Sequence, residues 1–306
     1  MKKLINNYYS LLLVVTLLFP LLGFTQESTK VLNQVVKGFD VETGYFYNGQ
    51  PYTKVGTGDK ILIHIEALSF DHKPLDGFLL KLFVQQNMEF YKEYSVYQIG
   101  RKPNLIEGYS IDDMANDYGV LITNQFKTKV NVVGVSTGGQ IGLSLAASFP
   151  DVINKVVIIS AAYRLNEKGK ELEKQAAKYF AQEKYGKTMS TLLEAVYDKG
   201  FKLSMYKAMM RMMGRSLLKD IECPNDFQVT VKADCEMDFK ERLNEIRVST
   251  LIISGKRDIG YSIADVRTTA AGLENSKLIV YEKYGHDLYP DNYKEVNENI
   301  LEFFHK

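Results

Sequence analysis

A mainly parallel β-sheet flanked by helices, with a helical insertion late in the chain, is the α/β architecture this sequence predicts. Three observations predict it. Short β-branched or aromatic runs recur at 61–65, 94–99, 130–135, 156–160, 248–254 and 278–281, with helical patterns between most of them. A serine between glycines, Ser136, stands where the run 130–135 stops and small residues at helical spacing begin. The stretch from Ala161 to Arg247 is far longer than the dozen or so residues a crossover helix needs, and it is rich in helix formers.

The chain has 306 residues, 45% of them apolar and 25% charged, so it can bury a full core. Residues 1–25 carry Lys2 and Lys3, then the apolar run 11–24, and no acidic residue. That is the pattern of an export signal, with Gly23 and Thr25 small enough to precede a cut. The alternative is an uncleaved anchor, but the run is interrupted by Pro20 and is shorter than the roughly 20 apolar residues of a span. The expectation is therefore an exported protein, periplasmic or secreted, with no stable membrane span after cleavage. The domain reading is a signal at 1–25, a core from 26–160 and 247–306, and a helical cap at 161–246.

Basic and acidic residues number 38 and 37. Losing Lys2 and Lys3 keeps the balance near neutral, which argues against a nucleic-acid partner. The two cysteines, Cys223 and Cys235, would meet an oxidising compartment after export, so a disulfide between them is open on sequence grounds. With no histidine nearby they fall short of a four-ligand zinc site, and no metal or cofactor is expected.

Along the chain, 43–55 reads as a hairpin around Asn48-Gly49, a dipeptide suited to a tight two-residue turn. Ser110 followed by Asp113 forms a capping box that opens a helix reaching Gln125. Pro150 ends the helix that follows Ser136, and 292–304 is an amphipathic closing helix. The charged run 166–174 reads as a solvated helix face.

Gly134, Ser136 and Gly138 give the pattern Gly-x-Ser-x-Gly at a strand-to-helix junction. A sharp turn there lifts the hydroxyl clear of the sheet, and the helix N-terminus offers free N–H groups to a developing negative oxygen. Such a serine needs a base, and the base an orienting carboxylate. Of the four histidines, His64 lies in a buried-strand pattern, His305 at the C-terminus and His72 in a polar loop where exposure is the ordinary reading. His286 follows the last strand in a glycine-bounded loop, on the edge where Ser136 emerges. Asp258 lies four residues past the run 248–254, on the same edge. Asp287 is a rival, but a sequence neighbour rarely reaches round to the far ring nitrogen. The order Ser136, Asp258, His286 matches that of α/β-hydrolases.

From about Gly44 to its C-terminus the chain resembles the α/β-hydrolase fold family. ILIHIEAL, GRKPNL, YSIDDMANDYGVLI, VVGVSTGGQIGLSLAASFPDVINKVVIIS, LIISGKRD and YGHD fall in the expected order. The resemblance implies acyl transfer: Ser136 attacks an ester-like carbonyl, His286 moves the proton, and Asp258 holds the ring. It assigns the oxyanion donors to the backbone N–H groups of Ala67 and Thr137. Members usually carry His-Gly where this chain has Ile65 and Glu66. A carboxylate aimed at the oxyanion would oppose catalysis, so a ligand-binding member without activity is one alternative. Peptidase, thioesterase, lactonase and carbon–carbon hydrolase activities use the same three residues and are others. Met205, Met209 and Met212 share a helical face, with Met213 beside it, that reads first as packing between cap and core and second as the lining of an apolar substrate pocket. The leading expectation is a carboxylesterase acting on an apolar small molecule.

Overall fold

The computed structural model describes residues 32–197 and 199–306. The expected signal at 1–25 lies outside the described residues.

Among the described residues nine strands form one sheet in the order β1-β2-β3-β5-β4-β6-β7-β8-β9. β1 (Leu32–Val36), β2 (Phe39–Tyr45) and β3 (Pro51–Val55) run as an antiparallel meander, and β3 pairs antiparallel with β5 (Tyr94–Ile99). From β5 through β4 (Lys60–Ile65), β6 (Val130–Val135), β7 (Ile153–Ile159), β8 (Ser249–Gly255) and β9 (Ser276–Tyr281) every pairing is parallel.

The strand period of two divides the core between the two faces. Ile63, Val132, Val156, Ile158 and Ile252 join one apolar cluster, whereas Leu62, Val133, Val157, Leu251 and Ile253 join the other. The first cluster takes in α2 (Ile111–Gln125) and α3 (Thr137–Ser148). The second takes in α1 (Gly77–Gln86) and the closing helix α9 (Leu288–His305), which kinks at Asn292. Before it in the chain, α8 (Ile263–Gly272) lies between β8 and β9. Strands buried on both faces explain the continuous β-branched runs in the sequence.

Two turn details differ from expectation. The hairpin between β2 and β3 does not turn on two residues: Gly49 N–H donates to the Phe46 carbonyl at 2.9 Å, and among residues 46–50 only Gly49 has a positive φ, 86°. A type I turn followed by a left-handed glycine closes it, while the Asn48 side chain accepts from Gln50 N–H at 3.2 Å. The tight two-residue turn occurs instead at Lys37-Gly38, both at positive φ, between the paired Val36 and Phe39. The capping box is as read: Asp113 N–H donates to Ser110 Oγ and Ser110 N–H to Asp113 Oδ2.

Between β7 and β8 lie α4 (Glu167–Ala181), α5 (Tyr185–Val196), α6 (Phe201–Leu218), α7 (Pro224–Glu236) and a 3-10 turn at Lys240–Glu245. The charged start of α4 is not wholly solvated, because Glu173 turns inward and is buried. Cys223 and Cys235 are free thiols at opposite ends of α7. At about 1.5 Å per residue that helix holds them roughly 18 Å apart, far beyond disulfide reach. α6 buries Leu203, Tyr206, Met210, Gly214 and Leu217. A Cβ on Gly214 would stand 2.5 Å from the Gly186 amide, so the close approach of α6 to α5 fixes which face points inward. That face is not the one carrying Met205, Met209 and Met212. Met209 is half-buried, but Met205 is 47% exposed and Met212 83%, so these two neither pack between cap and core nor line an enclosed pocket, and both readings of the stripe are corrected there.

Candidate active site

Ser136 sits between the end of β6 and the start of α3 with φ 56° and ψ −125°, a strained conformation for a residue with a side chain. Its N–H still pairs with the Ile159 carbonyl of β7 at 3.0 Å, while its own carbonyl already accepts from Gly139 N–H at 2.7 Å. The chain thus leaves the sheet and enters the helix within one residue. Gly138 makes this possible, since a Cβ there would lie 2.5 Å from the Ile65 carbonyl oxygen.

His286 and Asp258 come to the same edge from the loops after β9 and β8. Those loops are tied together by Lys256 N–H to the Tyr281 carbonyl and Arg257 N–H to the Tyr284 carbonyl, each 2.9 Å. His286 Nε2 lies 3.1 Å from Ser136 Oγ, and its Nδ1 lies 2.8 Å from Asp258 Oδ2. The other Asp258 oxygen accepts from the N–H groups of Gly260 and Tyr261, both at 2.9 Å, so the carboxylate is held on both sides. Asp287 turns back into its own loop and accepts from Gly285 N–H at 2.9 Å. Burial pushes the His286 pKa down, but the charge and hydrogen bond of Asp258 outweigh it and leave it raised above 6.5.

The other histidines have separate duties. His64 is buried in β4 against the edges of Phe83 and Phe90, and desolvation lowers its pKa to about 4. His305 is exposed beside Glu93. His72, expected in the open, is 2% exposed. Its Nε2 accepts from Arg101 Nε at 3.2 Å, which puts the ring proton on Nδ1, facing the Lys102 carbonyl at 2.9 Å and Asp226 Oδ2 at 3.1 Å. Asp226, from α7, also accepts from the N–H groups of Asn104 and Leu105 at 2.9 and 2.7 Å. A buried chain of polar contacts therefore runs from α7 to the loop after β4.

Arg101 ends that chain. Its Nη1 donates to the Glu66 carbonyl and its Nη2 to the Ala67 carbonyl, each at 2.9 Å. In a trans peptide the N–H points opposite to the carbonyl, so gripping the Glu66 carbonyl turns the Ala67 N–H away from Arg101. The Glu66 carboxylate lies 3.5 Å from Arg101 Nη2, which offsets its charge.

The structure also gathers residues that sequence reasoning missed. Tyr261, 1% exposed, stacks its ring on His286 with centroids 5.9 Å apart. Thr137 Oγ1 donates to Asp234 of α7. With its amide turned to satisfy both neighbours, Gln140 donates to the other Asp234 oxygen at 2.5 Å and accepts from Leu165 N–H at 3.2 Å. Asp234 faces Glu173, and both are buried. Desolvation raises the Asp234 pKa to about 7 against the lowering effect of Thr137, while desolvation and the Asp234 charge raise Glu173 well above the carboxylate range. In the sequence these acids lie 61 positions apart in unrelated helical patterns, so only the fold reveals the pair.

A cavity of about 140 Å³ opens beside this edge, lined among others by Ala67, Leu68, Val135, Leu79, Leu82 and Phe83. Its lining holds none of Met205, Met209 and Met212, and it reaches the site through Val135 and Ala67 rather than through Ser136 or His286.

A parallel sheet with a serine elbow at its carboxyl edge and late-chain Asp and His loops defines an α/β hydrolase. The family model described as serine aminopeptidase, S33, matches residues 107–292, more than half of the chain, and the chain belongs to that family. It is 36% identical over 69 residues to a putative carbamate hydrolase RutD of Yersinia enterocolitica, covering 22% of this chain and 25% of that protein. It is 24% identical over 184 residues to a 2-hydroxy-6-oxononadienedioate/2-hydroxy-6-oxononatrienedioate hydrolase of Pseudomonas putida, covering 57% and 62% respectively. These matches span less than two thirds of either relative. Among solved structures, the enol-lactonase of Burkholderia xenovorans LB400 superposes with a TM-score of 0.68 at 18% identity, over 90% of this chain and all of that one (100%). An esterase from Exiguobacterium antarcticum gives 0.65 at 17% identity, over 90% and 98%. At such identities the likeness is one of fold.

Proposed function

We propose that this hydrolase cleaves an ester-like bond of an apolar small molecule through an acyl-enzyme on Ser136. One observation carries the reading: the continuous contact from Ser136 Oγ through the His286 ring to Asp258, with spacings of 3.1 and 2.8 Å. In the neutral ring Asp258 holds the proton on Nδ1, leaving Nε2 to take the serine proton as the carbonyl is attacked. His286 then protonates the departing alkoxide and next activates the water that releases the acid. The N–H groups of Ala67 and Thr137 stabilise the oxyanion. The cavity at Ala67, Leu68 and Val135 receives the acyl portion, and the helices between β7 and β8 act as a cap. The leader at 1–25 supports export.

A fluorophosphonate probe tests the mechanism. It should label the wild type and leave Ser136→Ala untouched; an unlabelled, folded wild type would move the protein to the ligand-binding alternative. A panel of p-nitrophenyl esters of rising chain length then tests the substrate class.

The buried pair Glu173 and Asp234 favours a second reading, that of an aminopeptidase, as the family description names. Asp234, bonded to Thr137 beside Ser136 and with its pKa raised only to about 7, ionises when an amine is brought near and so supplies the counter-charge, while Glu173 stays neutral behind it. Faster cleavage of amino-acid anilides than of esters, lost in Asp234→Asn, would establish it over the first.

A further inference from the structure

We propose that α6 is an interfacial helix that docks the protein on a bilayer rich in anionic headgroups. Phe201, Met205, Ala208 and Met212 recur at the i, i+4, i+7, i+11 spacing that lines up one face of a helix. That face points outward: Phe201 is 85% exposed and Met212 83%, whereas Leu203, Tyr206 and Met210 occupy the opposite, buried side. An amphipathic helix packed on a protein normally gives its solvent side to polar residues, so an outward apolar stripe has no role in holding α6 in place.

Charge chooses the occupant. From Lys199 to Lys219 the sequence carries six basic residues and no acidic one. Lys202, Lys207 and Lys219 are answered by Asp291, Glu194 and Asp220. Arg211 and Arg215 flank the stripe and are exposed. Lys184 and Lys187 extend the basic rim at the start of α5, where Gly186 packs against the Arg211 backbone. Apolar side chains along one line with basic groups beside them are the pattern of helices that lie in the headgroup layer. Among the described residues no helix is long and apolar enough to cross a membrane. The Lys202–Asp291 ion pair, 2.7 Å, ties the start of α6 to the first turns of α9, a few residues beyond His286. A bilayer held by α6 therefore sits near the catalytic loop.

The chain has no tryptophan, so Met212→Trp in the full-length protein creates a single reporter at the stripe. Its emission should shift to the blue with phosphatidylglycerol vesicles and not with phosphatidylcholine vesicles. The shift should shrink in 1 M salt, where screening acts within about 3 Å, and vanish when Arg211→Glu and Arg215→Glu are added. Phe201→Trp provides a second reporter should Met212→Trp misfold. The proposal is overturned by emission that ignores both lipids, by an equal shift with both, or by a shift that persists with the two glutamates in place. A shift that grows with protein concentration in the absence of lipid would overturn it too, by showing that a second copy covers the stripe.

Discussion

Arg101 meets Glu66 twice: Nη1 donates to its carbonyl oxygen at 2.9 Å, and Nη2 stands 3.5 Å from Oε2 of its carboxylate, a charge contact with no hydrogen bond. One buried guanidinium thus fixes the peptide that carries the Ala67 N–H and offsets the charge standing where relatives of this fold place glycine. The departure from the family pattern comes with its own compensation.

Arg101→Met should separate these two duties. Removing one partner of a buried ion pair costs about 3–5 kcal/mol, read by urea denaturation. With the loop freed, kcat for ester hydrolysis should fall while KM changes little. Adding Glu66→Gln removes the stranded charge and should restore stability without restoring kcat. Recovery of both together would show that Arg101 acts on folding alone.

The pH profile follows from the histidine. The net raised pKa of His286, set by Asp258 against the effect of burial, means that the neutral base is lost at a higher pH than for a free imidazole. The acid limb of kcat/KM should accordingly lie above pH 6.5. Asp258→Asn removes the raising influence, so the limb should move down while the plateau falls by up to about 10⁴-fold, as the ring loses its required tautomer. For folding the sign is the opposite: the His286–Asp258 contact adds stability that is full below the unfolded pKa and is lost as pH rises through the folded one. An unmoved acid limb in Asp258→Asn would count against the assignment of His286 as base.

Gly138 is a steric prediction. An added Cβ would meet the carbonyl oxygens of Ile65 at 2.5 Å and Glu66 at 3.0 Å, both backbone atoms of the loop gripped by Arg101. Gly138→Ala should displace that loop, lowering the turnover rate by roughly 10²-fold or more and stability by about 1–3 kcal/mol. Gly260→Ala is the control, because its nearest neighbours lie at 3.4 and 3.7 Å. Equal rates in the two variants would remove the steric argument.

Ser136, Asp258 and His286 were legible because each stands just beyond a β-branched run, and parallel strands place all such positions at one edge. The run 94–99 reappears unchanged as β5, since a strand buried on both faces leaves little ambiguity of pattern. What stayed hidden depends on helix rotation and long-range meeting. α6 offers two faces of methionine-rich composition, and only the close approach at Gly186 and Gly214 decides that Met210 is buried and Met212 is not. His72 reads as a loop residue until Asp226, brought in from α7, closes over it. Tyr261 follows Asp258 in sequence, yet nothing local says that its ring stacks on His286.

His64 should dominate the loss of stability in mild acid. Within β4 its ring meets the edges of Phe83 and Phe90, its Nε2 is buried without a hydrogen-bond partner, and desolvation lowers its pKa to about 4. The unfolded chain binds a proton there near pH 6.5 and the folded protein does not, so stability is full above 6.5 and drains as pH falls toward 4. A separation of that size corresponds to about 3 kcal/mol by pH 4. His64→Met removes the titrating group and keeps the strand apolar, so its stability between pH 6.5 and 4 should decline by about 3 kcal/mol less than that of the wild type. Urea midpoints measured across that interval decide the matter, and parallel curves for the two proteins would show that His64 is not the group whose protonation unfolds this edge of the sheet.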